Sequence, residues 1–592
     1  MKNNNRELVL GQIPLDYNPD KHIPIGTFCF LGREEVDEEW LNLSFNYDPF
    51  ISIDEIKSAE KICSDYTLWL LDKEKEYFNN KLGLNYSIRF WKIILFPWLI
   101  YCVDSLYERQ SRIRKFITIY SNENIHVKLM SDNIDWDFLN VREFFNRGLQ
   151  NIIYNEWLFS RILENIMPSN WTYEYVDKSI DYKKSILNNN KTFNKTNFLK
   201  SYIKKTKLYK IYNLKNGFYR VYGIHGFRFI DYLTFNLFIF FKNLSSDIND
   251  TLLEKTISDV KSSVKIIKWD LDINYYIEKN TTGFINNLSK NIYRLRNKKY
   301  NKSKINIIGA DPITNDENNL KLDIALRYEN GEKLIPCQHG GHNYGTSKLN
   351  NLASLVEYNH YRYITWGWNE QEDFKGCFVP LALPGKNKYY NTHKQKNNNN
   401  ILVGNYMIKY FQTFSGYPRS KQSLEYRSNK ITFIDSLSNM AKEDLLYRPY
   451  KHKHQNTYND ENYLLQYFPK LKILYNNFES EIYNCNLLIL DHPGTTLITA
   501  LIANIPFICY WEKRHFPFSK QAELLLENFS NLEIYFEDPS KAADKVNIIN
   551  NSVEKWWRQD KIQQSRKNYI ANHGLISKDW RNDWKKFISS LN

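Results

Sequence analysis

INIIGADPITNDENNLKLDIALRYENGEKLIPCQHGGHNYG, residues Ile305 to Gly345, is the stretch whose reading decides the fold class. It opens on an apolar strand, Ile305 to Ile308, and passes through a polar loop and a short helix that hold Asp311, Asp316 and Asp323. A second strand, Lys333 to Cys337, runs into a loop containing Gln338, His339, Gly340, Gly341, His342 and Gly345. Apolar runs that end in small and polar residues are the pattern of parallel strands whose C-terminal ends face a crevice. In open α/β sheets that crevice is where ligands bind. Glycines let the backbone turn sharply and approach a ligand, and the two histidines bring groups that titrate near neutrality. The QHGG tetrapeptide is equally compatible with a glycine turn whose histidines only cap a helix.

A second stretch repeats the logic. LLILDHPGTTLITALIANIP, Leu487 to Pro506, reads as strand, tight turn and helix. The first N–H groups of a helix carry partial positive charge and stabilise an anion, so His492, Gly494, Thr495 and Thr496 form a candidate phosphate loop. An ordinary N-cap is the plainer reading of Thr495 or Thr496, and the two roles are compatible. Upstream, Ile401 to Tyr406 is a strand ending in a glycine, and Asp444 to Lys453 is a strand with a basic edge. Arg448 closes that strand, where a guanidinium either forks onto a phosphate or lies on the surface.

A chain of 592 residues exceeds one ordinary core. We read an acceptor-side α/β domain over 1–385 with a helical N-terminal elaboration and a Lys/Asn-rich insertion at about 170–250. A linker at 386–400, a Rossmann-like domain at 401–550 and helices at 551–592 packing across both domains complete the division. In the elaboration, Asn85 to Phe116 carries apolar residues on nearly every face of its first half, the pattern of a buried helix broken at Pro97.

The net charge of +14, from 80 basic and 66 acidic residues, suits an anionic partner without choosing among sugar nucleotide, glycan, nucleic acid and membrane surface. The basic residues are dispersed and no nucleic-acid module is visible, so nucleic-acid binding is not expected. Seven cysteines scattered singly, with no CxxC pair, argue against a disulfide framework and a structural zinc site and fit a reducing cytosol. The start of the chain lacks a signal-peptide pattern. Phe227 to Phe241, the most apolar window, is interrupted by Arg228, Asp231, Thr234 and Asn236, so a core element is expected there rather than a membrane span. With the basic run Lys200 to Lys210 upstream, peripheral contact with the inner face of a membrane is the alternative.

With these residues laid out, the chain resembles a family of bacterial surface-polysaccharide transferases, similar in turn to glycosyltransferases with two facing Rossmann-like domains, the GT-B arrangement. SIRFWKIILFPWL with YERQ, NEWLFSRILE, QHGGHNYG, TWGW, LYRPY, the GTT turn, NIPFICYW and Trp556–Trp557 carry the likeness. The resemblance implies a nucleotide-sugar donor in the C-terminal domain, with its phosphate on the HPGTT turn and Arg448. Gln338, Gly340 and Gly341 would face it across the cleft, with His339 near the reacting carbon. Related enzymes transfer ulosonic or nonulosonic acids of the Kdo type from CMP donors, and that donor class is extended to this chain as a hypothesis, with a glycan or lipid-linked glycan as acceptor.

Many enzymes of this fold hold the ribose with a glutamate just after the GTT-type turn. Here Leu497, Ile498 and Thr499 follow, so the ribose contacts fall to Asp491 or Glu512. Asp311, Asp316 and His339 are the candidates for base or nucleophile, although each acid also suits a helix cap. No DxD-like pair stands at a strand end, so neither an essential metal nor a cofactor is expected. A same-fold epimerase or hydrolase and a non-catalytic glycan-binding protein are the alternatives.

Overall fold

The computed structural model describes residues 6–30, 43–183, 221–242, 264–295, 304–309, 311–314, 319–342, 344–405, 407–415, 418–419, 421–450, 460–475 and 478–591. Its strands form three separate sheets, and every strand pair in them is parallel.

The sheet at the C-terminal side contains β10 (Asn400–Val403), β11 (Leu445–Arg448), β12 (Lys472–Ile473), β13 (Leu487–Leu490), β14 (Phe507–Tyr510) and β15 (Tyr535–Phe536). Their order is β12-β11-β10-β13-β14-β15, which, renumbered within the domain, is the 3-2-1-4-5-6 order of a dinucleotide-binding fold. β10, β13 and β14 are buried along their whole length, as continuous apolar strands in a doubly covered sheet must be. The order reverses between β10 and β13, and the loops after these two strands therefore diverge and open a crevice.

The middle sheet runs β5 (Val221–Tyr222), β6 (Ile305–Gly309), β7 (Lys333–Cys337), β8 (Tyr363–Thr365) and β9 (Phe378–Pro380) in sequential order. β6 and β7 are the two strands read from the opening stretch, both fully buried. The chain is thus an α/β protein with two facing parallel-sheet domains of the GT-B kind. A third sheet, β1 (Arg6–Val9), β2 (His22–Pro24), β3 (Ile125–Met130) and β4 (Thr172–Val176) in the order β2-β1-β3-β4, was not visible in the sequence. Its strands are short, and two long helices separate β2 from β3, so no alternation builds up within any one window.

Two helices, Ile53–Leu82 and Ile88–Tyr120, pack together beside that sheet. The second runs unbroken through Pro97, contrary to the expected break. A helix-interior proline costs about 3 kcal/mol, and burial of Phe90, Trp91, Phe96, Trp98 and Leu99 around it offsets that at roughly 1.5–3 kcal/mol per large apolar side chain. Among the described residues it is the one helix long and apolar enough to cross a membrane, and 94% of its most apolar window is buried inside the protein.

Much of the 170–250 stretch lies outside the described residues. The described parts supply β4, β5 and a helix at Phe229–Lys242. The 386–400 stretch is laid along the C-terminal domain: His393 N–H donates to Ala503 O at 3.0 Å and Lys396 N–H to Asn484 O at 2.9 Å. The tail packs first on that domain, where Trp557 Nε1 donates to Asn504 at 2.8 Å. It then reaches the middle sheet, where Trp584 Nε1 donates to Ala382 O at 3.0 Å.

Candidate active site

The crevice at the switch point is an open cavity of about 730 Å³. One wall is the loop after β7, with His339, Gly340, Gly341 and His342. The other is built from the ends of β10, β11 and β13: Gly404, Arg448 and the run His492 to Thr496. Of the residues singled out from sequence, His339, Gly340, Gly341, Arg448, His492, Gly494, Thr495 and Thr496 are brought together here.

The two loops touch. A Cβ added at Gly341 would stand 2.9 Å from Thr495 N and 3.0 Å from Gly494 C, so the absence of a side chain is what lets the domains close at this point. Gly345 turns the same loop with φ +77 against the ring of Trp368.

Thr495 starts a helix that ends at Ala503, and its N-cap, Gly494, provides no side-chain cap. The first-turn N–H groups therefore open on the cavity without a protein carboxylate or hydroxyl capping them, the arrangement that favours a bound anion. Arg448 is anchored by Nη1, which donates to Leu474 O at 2.7 Å and Tyr475 O at 2.5 Å, with its guanidinium 5.2 Å from the Phe478 ring. Burial lowers its pKa from the usual arginine value, which leaves it cationic.

His492 Nδ1 donates to Asp491 Oδ1 across 2.7 Å. Asp491 is 1% exposed. Its burial would push its pKa up, but Lys430, His492 and Tyr426 together hold it below the ordinary carboxylate value. It is therefore committed to its own domain, and the expectation that it holds ribose hydroxyls is corrected. Glu512 is likewise taken, by Asn429 Nδ2 at 3.0 Å and Arg514 at 2.6 Å, and does not line the cavity. Glu425, Glu512 and His515 form the one group among the described residues with metal-ligand spacing. Arg514 already pairs with both of its carboxylates, so a cation there meets a guanidinium.

His342 differs from His339. It is buried against Phe516 and Phe518, and burial, with the nearby His492, lowers its pKa to about 3. It stays neutral at any physiological pH, so the expectation that it titrates near neutrality is corrected. Gln338 is turned into the protein: its Oε1 accepts from Trp366 N at 2.9 Å and Trp368 Nε1 at 2.8 Å, and its Nε2 donates to Gly340 O at 2.8 Å. It shapes the loop and does not line the large cavity. Asp311 is the first residue of a short helix, Asp311–Thr314, directly after β6; Asp316 lies outside the described residues. Asp323 is paired with Arg327 at 3.0 Å inside its own helix.

Two residues escaped the sequence reading. Tyr344 places its hydroxyl 2.5 Å from His339 Nε2, and Glu357 Oε1 stands 3.4 Å from the same nitrogen. Tyr344 lies in the quoted loop, but Glu357 is eighteen positions beyond His339 in a stretch with no motif.

Residues 6–588 match the family model of the LIC12162 family transferases. The chain belongs to that family. No functionally curated protein matches it. Similar solved structures include MurG of Acinetobacter baumannii, 10% identical with a TM-score of 0.28 over 57% of this chain and 88% of that one. WaaG, a glycosyltransferase involved in lipopolysaccharide biosynthesis, is 12% identical with a TM-score of 0.24 over 59% and 85%. At those scores neither carries an argument about this chain, and the description of the fold rests on its own strand order. What this member of the LIC12162 family transferases offers chemically is an uncapped helix N-terminus with Arg448 on one domain and a histidine on the facing one.

Proposed function

We propose that the chain is a glycosyltransferase that takes a sugar from a nucleotide donor and passes it to a hydroxyl of a surface glycan or its lipid-linked precursor. The observation that carries this reading is the lining of the switch-point cavity. An uncapped helix N-terminus, Arg448 and three histidines, His339, His342 and His492, meet there, and the lining contains no carboxylate among the described residues.

The donor's phosphate sits at the N–H groups of Thr495 and Thr496 with Arg448 beside it. As the bond between sugar carbon and phosphate oxygen breaks, its electron pair passes to the departing nucleotide, where these fixed donors stabilise it. The acceptor oxygen forms the new bond to that carbon, and its proton passes to His339 as general base. With the leaving charge met by protein groups, the reaction needs no divalent ion, and activity persists in EDTA. Within this reading, a CMP-linked ulosonic or nonulosonic acid is the donor class that we favour, and the enzyme works on the cytoplasmic side of the membrane.

A thermal-shift panel with CMP, CDP, UDP, GDP and AMP tests the donor. A ligand at a hundredfold excess over Kd adds about 2.7 kcal/mol, and a shift confined to CMP supports the favoured donor class. A shift with UDP or GDP replaces the nucleotide while keeping the transferase. Silence across the panel, or full transfer activity in folded His339→Ala and Arg448→Ala variants, overturns the proposal.

A further inference from the structure

Behind His339 lies a carboxylate that the reaction as written does not use. Glu357 is 1% exposed and sits in a π-helical turn, Ser354–Tyr358, that continues the short helix Asn351–Ala353. Single π-turns inside helices are frequent at functional sites. Its surroundings are aromatic: Tyr363 donates its hydroxyl to Glu357 Oε2 at 2.9 Å, and Tyr358 and Tyr363 belong to a buried cluster with Trp368 and Phe378. An ionised carboxylate in such a place costs several kcal/mol unless it is paired. Among the described residues, its one basic partner is His339, whose Nε2 stands 3.4 Å from Glu357 Oε1.

We infer that Glu357 is the positioning residue of the base: it fixes the ring of His339 through Nε2 and stabilises the imidazolium that forms when the acceptor proton arrives. A proton held on Nε2 by Glu357 and the Tyr344 hydroxyl leaves the lone pair of the neutral ring on Nδ1. That atom then receives the acceptor proton, and the charge created is compensated by a carboxylate already in place. This inference rests on the reading of His339 as base, but the coupling between the two side chains is testable without a substrate. The other titratable or charged groups in the cavity lining are His342, Tyr344, Arg448, Tyr450 and His492. Of these, Arg448 and His492 lie on the opposite wall, and the positive charge of Arg448 is the one that the carboxylate acts against.

The test is a titration of the histidine ring resonances by NMR, with the His339 signal assigned by its loss in His339→Gln. Glu357→Gln is expected to lower the His339 midpoint by about one pH unit or more, the usual effect of removing a close opposite charge. Glu357→Asp should recover part of that shift, which a merely structural role would not do. An unchanged midpoint in Glu357→Gln overturns the inference. Should Glu357→Gln fold poorly, the double variant Glu357→Gln/His339→Gln decides. Recovered stability relative to His339→Gln supports the pair, since a lone buried carboxylate is relieved, and strictly additive losses refute it. Once a donor is known, the acid limb of kcat/KM should move to lower pH with the midpoint while the plateau falls at least tenfold. A moved midpoint with no transfer to any acceptor would sink the glycosyltransferase reading and leave the pairing intact.

Discussion

Gly341 shows how little room the site leaves. Because its absent Cβ faces backbone atoms of Gly494 and Thr495 at about 3 Å, Gly341→Ala forces the two loops apart. Overpacking of this kind typically costs 1–3 kcal/mol, and calorimetry should show that loss together with a weakened nucleotide shift. Asp491 makes a second residue-scale prediction. Its lowered pKa means that it contributes stability above the ordinary carboxylate range, a contribution lost as pH falls through the folded value. Asp491→Asn leaves Lys430, itself fully buried, with one fewer acid, and breaking such a pair costs about 3–5 kcal/mol. Urea unfolding at pH 7 and pH 3 should show a gap between variant and wild type that narrows toward acid.

The helix Thr495–Ala503 is the element on which the proposed phosphate site depends. Its first turn contains no acid, although an acid there is what an isolated helix favours. Thr495→Glu should therefore leave the melting temperature unchanged or raise it, by about 0.3–1 kcal/mol in stability, while abolishing the shift produced by any nucleotide. A variant that still responds to nucleotide would show that the phosphate binds elsewhere. The long helix Ile88–Tyr120 belongs at the same scale. Its residues pack on the N-terminal helix, on the middle domain's helix Asn319–Glu329 and on the π-turn that carries Glu357, which explains why the proline is tolerated and the apolar composition so complete.

At the scale of the whole molecule, that helix carries Asp104 to a point where three parts of the chain meet. Asp104 Oδ2 accepts from Asn351 Nδ2 of the middle domain at 2.8 Å and from Phe414 N of the C-terminal domain at 3.3 Å. Glu60 and Arg419 lie in the same patch, with Asn351 N–H donating to Glu60 at 2.9 Å. Burial raises the Asp104 pKa to about 8. The folded state therefore holds a proton that the unfolded chain releases, and stability falls as pH rises from the ordinary carboxylate value of about 3.9 toward the folded one. A full shift is worth about 1.4 kcal/mol per pH unit in that window. Asp104→Asn should flatten this slope in denaturant titrations between pH 5 and 8, and an unchanged slope would place the proton elsewhere.

What the sequence determined by itself was local and periodic. The buried parallel strands at Ile305, Lys333, Ile401 and Leu487 were legible because a doubly covered strand needs an unbroken apolar run, and the HPGTT turn was legible because a helix start has its own chemistry. Everything that depends on distant residues meeting was decided by tertiary structure. The first sheet needs β1 and β3 paired across more than a hundred residues, and no window can show that. Gln338 and His342 carry polar groups that suit a ligand, but packing against Trp368 and Phe518 turned them inward. Glu357 had no signal at all, since a carboxylate acquires its meaning only from the imidazole that the fold brings beside it.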